Sequence, residues 1–166
     1  MENNYPKAGF AWLVILRIFI GWHFLYEGIV KLLNPSWTAK AYLIDSAGPL
    51  KSFFVDMAGN AGLMKVIDPL NEWSLVLIGL GLLVGCFARL SSLGGIVLLA
   101  LYTLSHPALI GTKYMMPFEG SYFLIDKNIV ELAALGVMFA IPTAREIGID
   151  RFLIRVLPAG FKKFII

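Results

Sequence analysis

The chain has 166 residues, 58% of them hydrophobic and 15% charged, with a formal net charge of +3 and a mean hydropathy of +0.77. That is the length of one domain, and a soluble domain so small could not bury this much apolar surface, so a lipid bilayer is the expected solvent. The weak, scattered positive charge excludes nucleic acid as a partner, and the lone cysteine, Cys86, excludes an intrachain disulfide.

In chain order, residues 9–33 form the first run long enough to span a membrane, which takes ~20 residues. It stops at Asn34-Pro35, a helix-terminating pair. The run is too long and too studded with polar groups for a cleaved signal, so it is expected to stay as an anchor. The segment 36–69 carries Trp37, Tyr42, Phe53 and Phe54 at helical spacing and is expected to form one or two short interfacial helices. A second span is expected over 70–87, with Asn71 and Glu72 in its first turn, and a third over 90–109, with Pro107 near its end. Residues 111–125, rich in Gly, Pro and aromatics, read as a loop. The fourth span, 126–141, ends at Pro142. The tail, 143–166, alternates bases with apolar residues and reads as an amphipathic interfacial helix broken at Pro158.

The expected fold is therefore all-α: an integral membrane four-helix bundle, with the whole chain, 1–166, forming one membrane domain. Lys7, Arg89, Arg145, Arg151, Arg155, Lys162 and Lys163 fall on one side of it. Lys40, Lys51, Lys65, Lys113 and Lys127 fall on the other, mixed with acids. The positive-inside rule then puts both termini in the cytoplasm of a bacterial inner membrane. Gly81 and Gly85 form a small-xxx-small pair suited to close packing, either within the chain or in a homodimer.

Ionisable residues inside spans are expensive and are default pointers to function. The first span carries Arg17, His23, Glu27 and Lys31, the third ends with His106, and the fourth carries Glu131. At 100° per residue, Arg17, Glu27 and Lys31 share a face with His23 at its margin, and Glu27 to Lys31 has the favourable i, i+4 orientation. At ~1.5 Å per residue, Glu27 and Lys31 lie ~15–21 Å beyond Arg17, at the level where the other helices bring His106 and Glu131. Each group also has a plain structural reading. Lys31 can snorkel to the headgroups, Arg17 can tie the bundle through backbone carbonyls, His23 can bond across helices, and His106 can cap a helix. Neither carboxylate can sit unpaired in lipid; each must find a partner, stay protonated or meet a polar ligand. No metal-site signature appears, and two histidines are too few for a trusted haem pair.

The run from Leu16 through Glu27-Gly28 to Lys31-Leu32-Leu33-Asn34-Pro35 resembles the opening helix of the DoxX family. The turn Gly85-Cys86-Phe87-Ala88-Arg89-Leu90, the pair His106-Pro107 and the stretch from Glu119 to Glu131 are similar to that family's later landmarks, in the same order. The resemblance implies a four-helix membrane bundle and a link to subunits of thiosulfate:quinone oxidoreductases. Quinone then becomes the expected small-molecule partner, with a second protein or a homodimer beside it. On that reading Glu27, His106 and Glu131 are the candidate acid–base groups. Arg17, His23, Lys31, Tyr102, Tyr122 and Lys127 are the candidate ligand contacts. The competing expectation is a non-catalytic docking subunit that recruits other proteins to the membrane.

Overall fold

A computed structural model describes residues 6–116 and 122–162. The regular elements among the described residues are all helical, with no strand. The elements are α1 (Lys7–Leu32), α2 (Lys40–Ile44), α3 (Lys51–Gly59), α4 (Ala61–Val84), α5 (Ala88–Ser105), α6 (Lys127–Ala140), a 3₁₀ turn at Thr143–Arg145, α7 (Asp150–Val156) and α8 (Ala159–Lys162).

Three of these, α1, α4 and α5, are long and apolar enough to cross a membrane. Their outer faces repeat large apolar residues at helical spacing. Trp12, Phe19, Trp22 and Tyr26 line α1, Leu70, Trp73, Leu77 and Leu80 line α4, and Leu90, Leu93, Val97 and Leu101 line α5, all exposed. With Trp12 at 69% and Phe19 at 67% exposure, water would be a poor solvent for this surface; hydrocarbon removes the penalty. The fourth expected span is shorter than the sequence suggests. At 14 residues, α6 is ~21 Å long against a ~30 Å hydrocarbon core. Its bounds are chemical: Asp126 caps the first turn by accepting Ile129 N–H at 3.0 Å, and Pro142 stands just past its C-cap.

The inner faces close on one apolar core. Ile20 and Phe24 of α1, Leu75, Ile78 and Leu82 of α4, Leu99 of α5 and Leu135 of α6 meet there. α1 lies against α4 closely enough that only glycine fits at the crossing. A Cβ at Gly21 would lie 2.8 Å from Leu83 N, and one at Gly28 would lie 2.8 Å from Val76 N. Gly81, half of the pair read from the sequence, packs against Ser91 of the next helix, and Gly85 has another task. In the left-handed region at φ 66°, it ends α4 and turns the chain into α5. The short helices expected over 36–69 are present as α2 and α3, but α4 starts at Ala61, nine residues before the expected boundary. Asn60 Oδ1 caps it, accepting from Gly62 and Leu63 N–H, and Pro69 is accommodated inside the helix.

Loop 33–60 and the approach to α6 sit at one end of the helices, the start of α1 and the segment after α6 at the other. At the terminal end the expected long tail helix is broken earlier than Pro158, into the 3₁₀ turn and α7. Lys163, assigned to the basic anchor, lies outside the described residues, as does Glu119 of the stretch leading to α6.

Candidate functional site

A cavity of about 150 Å³ opens between α1, α4, α5 and α6 near the loop end. His23, Phe24, Glu27 and Lys31 line it from α1, Leu75 from α4, Leu99 and Tyr102 from α5, and Lys127, Asn128 and Glu131 from α6. The helical repeat explains the α1 set: positions 23, 24, 27 and 31 fall within one stripe facing α6. Two ion pairs frame the opening. His23 Nδ1–H donates to both oxygens of Glu131, at 2.9 and 3.2 Å, and so ties α1 to α6. Lys31 Nζ donates to Glu27 Oε2 at 2.6 Å, one helical turn away. The Glu27 side chain remains 48% exposed, so this pair forms a polar rim. The floor is apolar, with Phe24, Leu75 and Leu99 all belonging to the core or packed on it. The Tyr102 hydroxyl accepts a 2.7 Å hydrogen bond from Asn71 Nδ2 of α4.

Six of the nine residues singled out in the sequence therefore line one cavity: His23, Glu27, Lys31, Tyr102, Lys127 and Glu131. Three lie elsewhere. His106 reaches the same level along the axis, yet its ring belongs to a different cluster. It stacks on Tyr42 at 3.8 Å between centroids and tilts against Tyr114 at 4.7 Å. Its Nδ1 is 3.0 Å from Ser105 Oγ, and its buried Nε2 makes no hydrogen bond, with Asp45 Oδ2 4.0 Å away. Asp45 is occupied by the Met115 and Met116 N–H groups, both at 2.9 Å, which pins the loop after α5. Burial pushes the His106 imidazole below its usual pKa, with Asp45 opposing. Burial also opposes ionisation of Asp45, but the two backbone donors and His106 hold that carboxyl below its usual range.

Arg17 lies at the other end, 3% exposed. Its guanidinium donates to Ile147 O at 2.7 Å and to Thr143 Oγ1 at 3.0 Å, so it fastens the tail to α1. Nearby, Asp150 accepts from Phe87 N at 2.7 Å and Ala88 N at 3.0 Å, capping α5 from a distant part of the chain. Tyr122 is half exposed and is not among the residues that line the cavity. Asn71, Asn128, Asp45 and Asp150 are the polar positions that sequence reasoning passed over. Only Asn71 gave a signal, as an amide within an apolar span.

An all-helical chain with membrane-length apolar helices and a charged cavity between them is a membrane protein. The DoxX family model matches residues 12–107, which reach from α1 to the Pro after His106. The chain belongs to the DoxX family. The match stops before α6, so Lys127 and Glu131 stand outside it. Comparison with curated proteins and with solved structures gives no match.

Proposed function

We propose that this protein is the membrane subunit of a quinone-linked redox complex, with the cavity as the quinone-ring site. The observation that carries the reading is the meeting of two ion pairs and a tyrosine hydroxyl, from three helices, around a volume fit for one ring. An apolar protein cavity of about 150 Å³ accommodates benzene, and this one adds hydrogen-bonding groups at its rim.

A quinone takes up two electrons and two protons to become a quinol. The side chains present suit the proton half of that reaction. Lys31 Nζ and the Tyr102 hydroxyl are placed to donate to a ring carbonyl oxygen. Glu131 holds the His23 Nδ1 proton, so carboxylate and imidazole can pass a proton as a unit. Glu27, on the exposed rim, is the group that would refill the pair from water. Electrons come from a partner protein or a soluble reductant. α6 supplies Glu131 and Lys127 and, with the short segments flanking it, completes the bundle as a fourth crossing. The basic residues of the terminal end face the cytoplasm on this reading, which sets the cavity in the outer half of the inner membrane.

The test is bound quinone. Mass spectrometry of an organic extract of the gently purified protein should find about one quinone per chain. Replacement Glu131→Gln or Glu27→Gln should lower quinone turnover by about 10²-fold or more with the fold intact. Wild-type turnover in both variants would remove the mechanism. An extract that retains lipids but holds no quinone would favour the docking role.

A further inference from the structure

A second concavity lies beside the first. Between α4 and α5, on the membrane-facing side, runs an open groove of about 710 Å³. Its walls are Leu70, Leu77, Leu93, Val97 and Leu101, and Gly94 leaves its floor low. From Leu90 to Leu101 it follows α5 for ~16 Å at ~1.5 Å per residue. It is not a uniform apolar face. Asn71 lines it near the loop end, and the Asn71 amide is the group that donates to Tyr102, which lines the ring-sized cavity. One 2.7 Å hydrogen bond thus joins a lining residue of one space to a lining residue of the other.

Two features bear on what the groove can hold. The cavity has room for one ring and no more, so any long substituent on that ring must leave it. The Asn71–Tyr102 contact is where its lining meets that of an apolar groove. The second is an unsatisfied atom: Asn71 Oδ1 is buried without a hydrogen-bond partner. However the amide is turned, one of its two polar atoms is left over, and an acyl chain of bulk lipid cannot satisfy it. A quinol hydroxyl can donate to Oδ1, and with the amide turned the freed Nδ2 can donate to a quinone carbonyl.

We propose that the groove between α4 and α5 holds the isoprenoid chain of the quinone or quinol whose ring occupies the cavity, with Asn71 meeting a ring oxygen at the junction. This rests on the ring-site reading above. It adds the entry route, sideways from the bilayer between α4 and α5, and a specificity for chain-bearing quinones.

The experiment compares a benzoquinone bearing a decyl chain with the same benzoquinone lacking it. Both are titrated against the detergent-purified full chain with tryptophan fluorescence as readout. The wild type should bind the decyl form about tenfold tighter or better after correction for detergent partitioning. Gly94→Leu and Ser74→Phe fill the groove and should abolish that gain while leaving the chainless affinity unchanged. A Cβ at Gly94 meets only Ile78 at ordinary contact distance, so that variant should fold, and Ser74→Phe provides a second, independent block. Tyr102→Phe should weaken both forms. Equal affinity for both forms in the wild type, or an undiminished gain in both filled variants, would overturn the groove and leave the ring site standing. Failure of the wild type to bind either form would instead remove the ring site, and the groove assignment with it.

Discussion

Replacing Asp150 with alanine should destabilise the protein more than any other single truncation in the tail. Asp150 is 1% exposed and accepts both Phe87 N–H and Ala88 N–H, the leading donors of α5. Phe87 sits in the left-handed region at φ 48°, unusual for a bulky residue, and the first of these bonds holds it there. Alanine would orphan both donors, at ~1–3 kcal/mol for each buried unsatisfied group. It would also take away a carboxylate beside the buried Arg17 guanidinium. The sum is roughly 2–5 kcal/mol, which for a chain of this length shifts the melting temperature by roughly 5–20 °C. Asp150→Asn keeps one acceptor oxygen and should lose about half as much. Thermal unfolding in detergent, followed by intrinsic fluorescence, measures both variants. A melting temperature for Asp150→Ala within about 1 °C of wild type would refute the capping role and the energetic weight placed on it.

Two further outcomes follow from the packing and from the His106 cluster. Gly79→Leu should sharply lower folded yield, because a Cβ there would sit 2.6 Å from Leu25 Cα and overpacking costs about 1–3 kcal/mol or more. Gly136→Leu, with no neighbour within 4 Å, should leave folded yield unchanged in the same detergent extraction. The lowered pKa of His106 means the unfolded chain binds that proton more readily. Its contribution to stability is therefore complete above the ordinary imidazole value of about 6.5 and is lost as the pH falls through it. The melting temperature of wild type minus that of His106→Gln should accordingly shrink between pH 7.5 and pH 5.5, and a constant difference would show that the folded and unfolded chains bind this proton equally, which would refute the lowered pKa.

The parts of this structure legible in the sequence are those governed by local periodicity. Hydropathy located α1 and α5, and the helical wheel grouped Glu27 and Lys31 at the level of Glu131. The errors arise where a residue acts at a distance. Pro69 reads as a boundary, but the true start of α4 lies at the Asn60 cap, and Asn71 is consequently ten residues into the helix instead of in its first turn. His106 was assigned by its height along the axis, a coordinate that says nothing of azimuth. The chain leaves helical geometry there, at φ −125°, and the ring turns toward Tyr42 and Tyr114. Asp45 and Asp150 are invisible as partners because the backbone groups they bind lie about 60–70 positions away in the sequence.

Burial alone does not identify which intramembrane charges do chemistry. Arg17 and Asp150 are the more buried set, yet their hydrogen bonds go to backbone groups and a threonine, and they fasten one end of the molecule. His106 is also buried, with the Tyr42 and Tyr114 rings packed against it, and it does not line the cavity between α1, α4, α5 and α6. The His23–Glu131 and Glu27–Lys31 pairs are the more exposed groups, and they face empty volume. Groups that pair with each other across an open cavity keep spare donors and acceptors aimed into it, and only that arrangement makes the desolvation of charge useful to a ligand. Charge beside vacant space, and not charge simply inside the membrane, is what marks out the cavity of α1, α4, α5 and α6.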